Sequence, residues 1–443
     1  MSQPSMPPSS SGALAAPQRR PRDRPANVKL VLVMVGLPAR GKTHIARRAA
    51  RYLTWLGYKT RVFNVGNYRR ERLGSQKDHS FFDHENVDAR AARRTVAMEC
   101  LDDLVTWMGE GGEIALYDAT NSQVERRSVV AERCRSAGFQ VVFVESVCED
   151  PSIIESNIRQ TKLHMPDYAG MDPDAAVQDF RERIAHYAAV YEPVGESEGS
   201  FVRIIDVGRR LEIHRIQGYL ASRLVYFLMN NHPIPRPIYL TRHGESLFNV
   251  EGRIGGDAGL APRGEAFASR LARWFETERP TPDLVVFTST LVRTVDTARW
   301  LGRPTVEWRA LDEIYAGDCD SMTYDEIREQ YPGVVEARSH DKLSYRYPRG
   351  ESYRDVIRRL EPVIIEIERE RSPVLVIAHQ AVLRALYAYL MDKPPRECPF
   401  LPMPLHTVIQ LTPTTYGCDE ARFELGPAAD TRDSKSPPAP PAA

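Results

Sequence analysis

The stretch LVMVGLPARGKTHIARRAA, residues 32–50, runs an apolar segment into a glycine-rich turn and then into a helical pattern. Neighbouring parallel strands can be joined only by a crossover, usually a helix, so a repeated strand-then-helix order implies a parallel sheet covered by helices. That order recurs here. The runs KLVLVMV, TRVFNV, EIALYDA, QVVFVESV and FVRIIDV alternate with helical patterns from Val28 to about Met229. In NNHPIPRPIYL, Pro233, Pro235 and Pro237 alternate, which neither a helix interior nor a central strand tolerates. A domain boundary is expected there. Beyond it PIYLTRH, DLVVFTST and PVLVIAHQ resume the alternation without repeating the first half. The expected fold is α/β, two domains in series over residues 28–232 and 233–425. Residues 1–27 and 426–443 lack periodicity and are expected to be disordered tails.

Gly36-Leu37-Pro38-Ala39-Arg40-Gly41-Lys42-Thr43 fits the pattern GxxxxGK[ST], between a strand and a helix that would turn Ile45, Ala49, Leu53 and Leu56 to one face. Successive backbone N–H groups in such a loop cradle phosphate oxygens. Lys42 would reach the β/γ-phosphates, and the Thr43 hydroxyl a Mg²⁺ ion. The helix N-terminus adds a favourable dipole. EIALYDATN places Asp118 just past an apolar strand, where a second metal-directed carboxylate of a nucleotide site would sit. Arginine pairs at Arg69/Arg70, Arg93/Arg94 and Arg126/Arg127 suit bidentate grip on an anionic acceptor, and Lys162, Arg183 and Tyr187 are further candidates.

A second motif, Arg242-His243-Gly244-Glu245, follows the strand PIYLT, and His379 ends the strand PVLVIA. Active sites of open parallel sheets gather at the carboxyl ends of strands, so the two histidines can face each other. A neutral imidazole at His243 can attack phosphorus and form a phosphohistidine. Arg242, Arg293 and His379 would hold the phosphoryl oxygens and lower the pKa of His243. The leaving hydroxyl needs a proton. Glu313 is a candidate acid, though spacing alone does not separate it from Asp312 or Asp318.

With GLPARGKT, VFNVGNYRRE, DATN, ESVCEDP, IDVGRR, RHGES, GRIGGD, YRYPRGESY and HQAVLR together, the chain resembles the bifunctional 6-phosphofructo-2-kinase/fructose-2,6-bisphosphatase family from about Val28 to Tyr416. The resemblance implies a P-loop NTPase-like kinase domain followed by a histidine phosphatase domain of phosphoglycerate-mutase type. It implies ATP and Mg²⁺ as cofactors, fructose 6-phosphate as acceptor, and a homodimer formed through the kinase halves. In the first half it points to Asp118 as catalytic carboxylate, Cys148 beside the nucleotide, and Asn157 to Lys162 closing over it. Arg69, Arg93, Thr120, Arg126, Lys162, Arg183 and Tyr187 would hold the sugar phosphate. In the second half it points to His243, Glu313 and His379 as catalytic. Arg242, Asn249, Gly255, Arg293, Tyr324, Arg338, Lys342, Tyr353, Gln380, Arg384 and Tyr416 would hold fructose 2,6-bisphosphate.

Lys+Arg and Asp+Glu both number 59, and no aromatic–basic interleaving occurs, which argues against a nucleic-acid end-processing kinase/phosphatase. A sensor that binds ATP and sugar phosphate without catalysis would be expected to lack Lys42, Asp118 or His243, and all three are present. The six cysteines have no metal-site spacing, no apolar run reaches the ~18 residues of a membrane span, and a cytoplasmic location is expected.

Overall fold

The computed structural model describes residues 29–162, 165–231, 235–414 and 417–426; the side chains of Thr161 and Lys162 are not described. The N-terminal tail, residues 427–443 of the C-terminal tail, the middle of the proline-rich boundary, and Tyr416 therefore lie outside the described residues.

The first half holds β1 (Leu30–Val35), β2 (Thr60–Asn64), β3 (Ile114–Asp118), β4 (Gln140–Val147), β5 (Phe201–Ile205) and β6 (Arg210–His214). These form one sheet in the order β2-β3-β1-β4-β5-β6. The first five are parallel, and β6 returns antiparallel to β5. Seven helices connect or cover it: α1 (Lys42–Trp55), α2 (Val65–Leu73), α3 (Val87–Gly109), α4 (Val124–Ser136), α5 (Pro151–Asn157), α6 (Pro173–Ala188) and α7 (Tyr219–Asn230). All six residues of β1 are buried, as expected of a central strand covered on both faces. On α1 the fully buried apolar residues are Ala46, Ala49, Tyr52, Leu53 and Trp55, whereas Ile45 and Leu56 are only half-buried. The inward face is therefore turned by about one residue from the expected one.

The second half contains β7 (Ile238–Arg242), β8 (Val285–Thr288), β9 (Thr305–Glu307), β10 (Val374–Ala378), β11 (Thr407–Pro413) and β12 (Cys418–Glu424), in the order β12-β11-β7-β10-β8-β9. Strands β7 to β10 are parallel, while β11 and β12 add antiparallel partners on the β7 side. Its helices are α8 (Leu247–Glu251), α9 (Pro262–Arg273), α10 (Val292–Arg299), α11 (Tyr324–Gln330), α12 (Val334–His340), α13 (Tyr353–Arg369) and α14 (Gln380–Leu390). The all-parallel expectation is thus corrected at both sheet margins. Of the added strands, β6 and β12 are exposed or half-buried throughout and carry no continuous apolar run, whereas β11 is buried at Thr407, Val408, Ile409 and Leu411.

The halves share one apolar core. Leu53 and Trp55 of α1 and Leu224 and Phe227 of α7 belong to the same buried cluster as Leu360 and Ile364 of α13 and Ala385 of α14. The ring of Tyr52 stacks on Phe227 at 4.3 Å. The Trp55 indole donates to the Ala385 carbonyl at 2.9 Å. Two carboxylates of α13 complete the junction. Glu361 accepts from Tyr52 and Arg223, and Glu368 from Arg48, Arg51 (3.2 Å) and Tyr389 (2.5 Å).

Candidate active sites

The glycine loop after β1 sits at the carboxyl edge of the sheet, where the strand order reverses between β3 and β4. Gly36 has φ 135°, and a Cβ there would stand 2.4 Å from the Ser146 carbonyl oxygen, so only glycine fits. Gly41, at φ 80°, caps α1 and aims its first N–H groups outward. The Lys42 ammonium folds back onto the Leu37 carbonyl at 2.6 Å. Asp118 ends β3, is 3% exposed, and accepts from the Asn64 side chain at 2.5 Å. Asn64, which sequence reasoning did not single out, also caps α2.

One cavity of about 1710 Å³ takes in the loop from Pro38 to Thr43, together with Asp118, Thr120, Cys148 and Asn157. Gly36 and Leu37 do not line it; the Gly36 N–H donates to the Thr120 carbonyl at 3.0 Å. Burial pushes the Cys148 thiol up, so it faces the cavity as an uncharged group. Asn157 donates to the Ala39 carbonyl at 3.0 Å, tying α5 to the loop. Arg40 donates to the Pro38 carbonyl at 3.1 Å.

The same cavity is lined by Arg69, Arg93, Arg126, Arg183 and Tyr187. Burial first, then Arg126 and Arg183, lowers the pKa of Arg93. Arg183 stacks on Phe82 at 3.6 Å, and Arg69 pairs with buried Asp167 at 2.7 Å. Crowded guanidiniums with few carboxylates make a receptor for an anion. Arg127 corrects the reading of arginine pairs. It is 0% exposed, is held by Glu198 at 2.6 Å, and donates to the Asn121, Glu192 and Pro193 carbonyls. It ties α4 to the loop before β5, while Arg126 faces the cavity. Pro413 and Thr414 of the second half also line this cavity, just before the undescribed Tyr416.

The second site lies where β7, β10 and β8 end side by side. The His243 and His379 ring centroids are 5.1 Å apart, and both residues are at most 3% exposed. His243 Nδ1 lies 2.7 Å from the Gly244 carbonyl, and its Nε2 lies 3.2 Å from Arg293 Nε. A carbonyl only accepts and a guanidinium only donates, so the ring proton is assigned to Nδ1 and the lone pair to Nε2. Burial, then Arg293 and Arg242, pushes the His243 pKa well below its usual value, which keeps the ring neutral. Gly244 is required by packing, since a Cβ there would meet the Gly264 carbonyl oxygen at 2.5 Å.

Arg242 donates to the Met403 carbonyl at 3.2 Å, and Arg293 to the Gly256 carbonyl at 2.7 Å. Glu313 accepts from the Ala381 N–H at 3.2 Å, at the start of α14. Asp312 instead holds Thr290 at 2.9 Å, and Asp318 pairs with Arg349, so Glu313 alone of the three reaches this helix.

Arg384 bonds the Tyr353 hydroxyl at 3.3 Å, and Lys342 is pushed down to about 8 by burial and by Arg338 and Arg384. Arg338 covers the Tyr347 ring at 5.3 Å, and Tyr324 lies nearby at the start of α11. Gln380 opens α14. Gly255, at φ 66°, lies against Asp320, while the Asn249 side-chain oxygen accepts from the Ser246 N–H at 3.0 Å. Sequence reasoning missed Tyr347 and Ser289. The Ser289 hydroxyl lies 2.7 Å from His379 Nε2.

The 6-phosphofructo-2-kinase family model matches residues 20–235, and that of the histidine phosphatase superfamily (branch 1) matches residues 238–425. A 6-phosphofructo-2-kinase/fructose-2,6-bisphosphatase of Gallus gallus is 51% identical over 89% of this chain and 84% of its own length. The chain belongs to the 6-phosphofructo-2-kinase/fructose-2,6-bisphosphatase family. The human protein named 6-phosphofructo-2-kinase/fructose-2,6-bisphosphatase 1 is 48% identical over 93% of this chain and 88% of its own. The Arabidopsis thaliana protein of the same family name is 49% identical over 89% of this chain and 54% of its own. The sensor and nucleic-acid readings are not favoured. Among the described residues, no helix is long and apolar enough to cross a membrane.

Proposed function

We propose that this bifunctional enzyme transfers the γ-phosphoryl of ATP to the 2-hydroxyl of fructose 6-phosphate, and hydrolyses the resulting fructose 2,6-bisphosphate back to fructose 6-phosphate and phosphate. The kinase unit is assigned to residues 28–232 and the phosphatase unit to residues 233–425. The observation that carries the two-way reading is the neutral His243 ring, with Nδ1 on a carbonyl and Nε2 beside Arg293.

In the kinase unit, the loop amides and Lys42 hold the ATP phosphates, and Asn157 and Lys162 close the nucleotide side. Arg69, Arg93, Arg126 and Arg183, with Thr120 and Tyr187, hold the sugar phosphate. Asp118 takes the 2-hydroxyl proton as that oxygen attacks the γ-phosphorus. Cys148 remains an uncharged wall group. Thr43 and Asp118 offer hard oxygen donors, and no cluster of three or more metal-ligating acids, histidines or cysteines occurs among the described residues. That donor set fits Mg²⁺, which keeps waters and binds largely through substrate phosphates. When bound, the ion neutralises phosphate charge.

In the phosphatase unit, His243 Nε2 attacks the 2-phosphorus and the P–O2 bond breaks. Glu313 gives its proton to the leaving oxygen, then takes one from the water that attacks the phosphohistidine. Arg242, Arg293 and His379 hold the phosphoryl oxygens. Arg338, Lys342, Arg384 and Tyr353, with Asn249, Gly255, Tyr324, Gln380 and Tyr416, hold the rest of the substrate.

We also assign a cytoplasmic location, sugar phosphates and ATP as the only partners besides a second copy, and a homodimer formed through the kinase halves. The edge strand β6 supports the dimer, since Ile213 on it is 49% exposed. Fructose 2,6-bisphosphate labelled at the 2-phosphate tests the phosphatase assignment. Quench into alkaline detergent, in which the P–N bond survives, should trap label on the wild-type protein and none on His243→Ala. Equal labelling of both would overturn it.

A further inference from the structure

The hydroxyl of Ser289, at the end of β8, is fully buried and touches three groups. His379 Nε2 lies at 2.7 Å, the Thr294 hydroxyl at 2.7 Å, and the Leu291 N–H donates to it at 3.1 Å. A hydroxyl has one proton to give and two lone pairs to receive with. The Leu291 N–H occupies one lone pair. Thr294 has acceptors of its own, the Leu291 carbonyl at 2.8 Å and the Ser289 carbonyl at 3.1 Å. When Thr294 instead turns its proton to Ser289, filling the second lone pair, the Ser289 proton is free to point at His379. The other ring nitrogen of His379, Nδ1, is buried with no partner among the described residues. It belongs to the ring that faces His243, in the pocket walled by Arg242 and Arg293.

Two proton arrangements satisfy the hydroxyls. In one, His379 donates from Nε2 to Ser289, Ser289 donates to Thr294, and a lone pair on Nδ1 faces the pocket. In the other, Thr294 donates to Ser289, Ser289 donates to Nε2, and an N–H on Nδ1 faces the pocket. Phosphoryl oxygens only accept hydrogen bonds, so the first arrangement sets acceptor against acceptor and the second supplies a donor. Double protonation is opposed by burial and by Arg293, His243 and Arg242, which together push the ring's pKa well down.

We propose that Ser289 is a positioning residue of the phosphatase reaction, its hydroxyl donating to His379 Nε2 and so fixing the ring proton on Nδ1, toward the transferring phosphoryl group. This rests on the phosphohistidine reading above. Without Ser289 the proton has no reason to stay on Nδ1, and the phosphoryl group loses a pre-oriented donor. Loss of one such donor lowers turnover by about 100- to 1000-fold, and its misplacement alone by up to about 100-fold.

The test uses the full chain with ¹⁵N-labelled histidine, His379 being assigned by the signal that disappears in His379→Gln. The wild type should show a protonated Nδ1 and a bare Nε2. A proton on Nε2 would overturn the proposal, whatever the phosphatase does. The second arm compares Ser289→Ala with wild type. Phosphatase kcat should fall about 10- to 100-fold with KM changed less than threefold, kinase kcat should be unchanged, and the His379 signal should shift toward the Nε2-protonated form. An unchanged phosphatase kcat, or an unchanged tautomer, would overturn it. If the wild-type protein lacks phosphatase activity altogether, the reading of the site fails instead, and the tautomer measurement still decides the Ser289 assignment.

Discussion

Replacing Glu368 with alanine removes the carboxylate on which Arg48, Arg51 and the Tyr389 hydroxyl converge, across the junction between the two halves. Its side chain is 3% exposed, and those of Arg48 and Arg51 are each 10% exposed, so water cannot fully replace it. Leaving buried guanidiniums uncompensated costs about 3–5 kcal/mol. At about 2–4 °C per kcal/mol for a unit of roughly 200 residues, the melting midpoint should fall by about 6–20 °C. The effect should depend on pH. Burial alone would push the Glu368 carboxyl up, but Arg48, Arg51 and the Tyr389 hydroxyl hold it below its ordinary value. A carboxyl lowered in the folded state stabilises above its unfolded pKa of about 4.3, and that contribution is lost as pH falls through the folded value. The gap between mutant and wild type should therefore be full at pH 7 and shrink in acid. Calorimetry at both pH values checks this, beside Glu368→Gln, which keeps an acceptor for Tyr389 and should lose less. A midpoint within about 1 °C of wild type at pH 7 would mean that the junction is open to water, and the reasoning fails.

Lys342 is pushed down to about 8 by burial, Arg338 and Arg384, so it loses its charge as pH rises through that value. KM for fructose 2,6-bisphosphate should rise between pH 7 and 9 in wild type, and less steeply in Lys342→Arg, by initial-rate assay. Arg126→Ala should raise the KM for fructose 6-phosphate at least tenfold with little change in melting, whereas Arg127→Ala, which strips Glu198 of its buried partner, should destabilise by about 3–5 kcal/mol. Gly244→Ala should destabilise the phosphatase half by about 1–3 kcal/mol, because the new methyl meets the Gly264 carbonyl oxygen at 2.5 Å, and kinase activity measured below the melting transition should survive.

The strands that carry the sites were legible because they are buried on both faces. Residues 30–35, 114–118, 238–242 and 374–378 are each an unbroken buried run. The glycine loop and both histidines were found because each stands at the end of such a run. The antiparallel margins were not legible. In Cys418–Glu424 five of seven residues are exposed, and an edge strand of that kind leaves no apolar period. Side-chain partnership was also hidden. Nothing in the spelling ERR says that Arg126 faces a cavity while Arg127 is locked onto Glu198. Nor does DEIYAGD say that Glu313 reaches the first turn of α14 while Asp312 holds Thr290. Those choices depend on residues brought in from elsewhere in the chain, which no local pattern records. Ser289 was missed for the same reason, since its partner His379 lies ninety positions away.

The most direct test of the two-way assignment follows fructose 2,6-bisphosphate over time in purified protein supplied with MgATP and fructose 6-phosphate, wild type beside His243→Ala. The account predicts accumulation in both, higher and longer-lived in the variant because only the return reaction is lost. Identical traces would contradict the role of His243, and no product in either would contradict the kinase assignment itself.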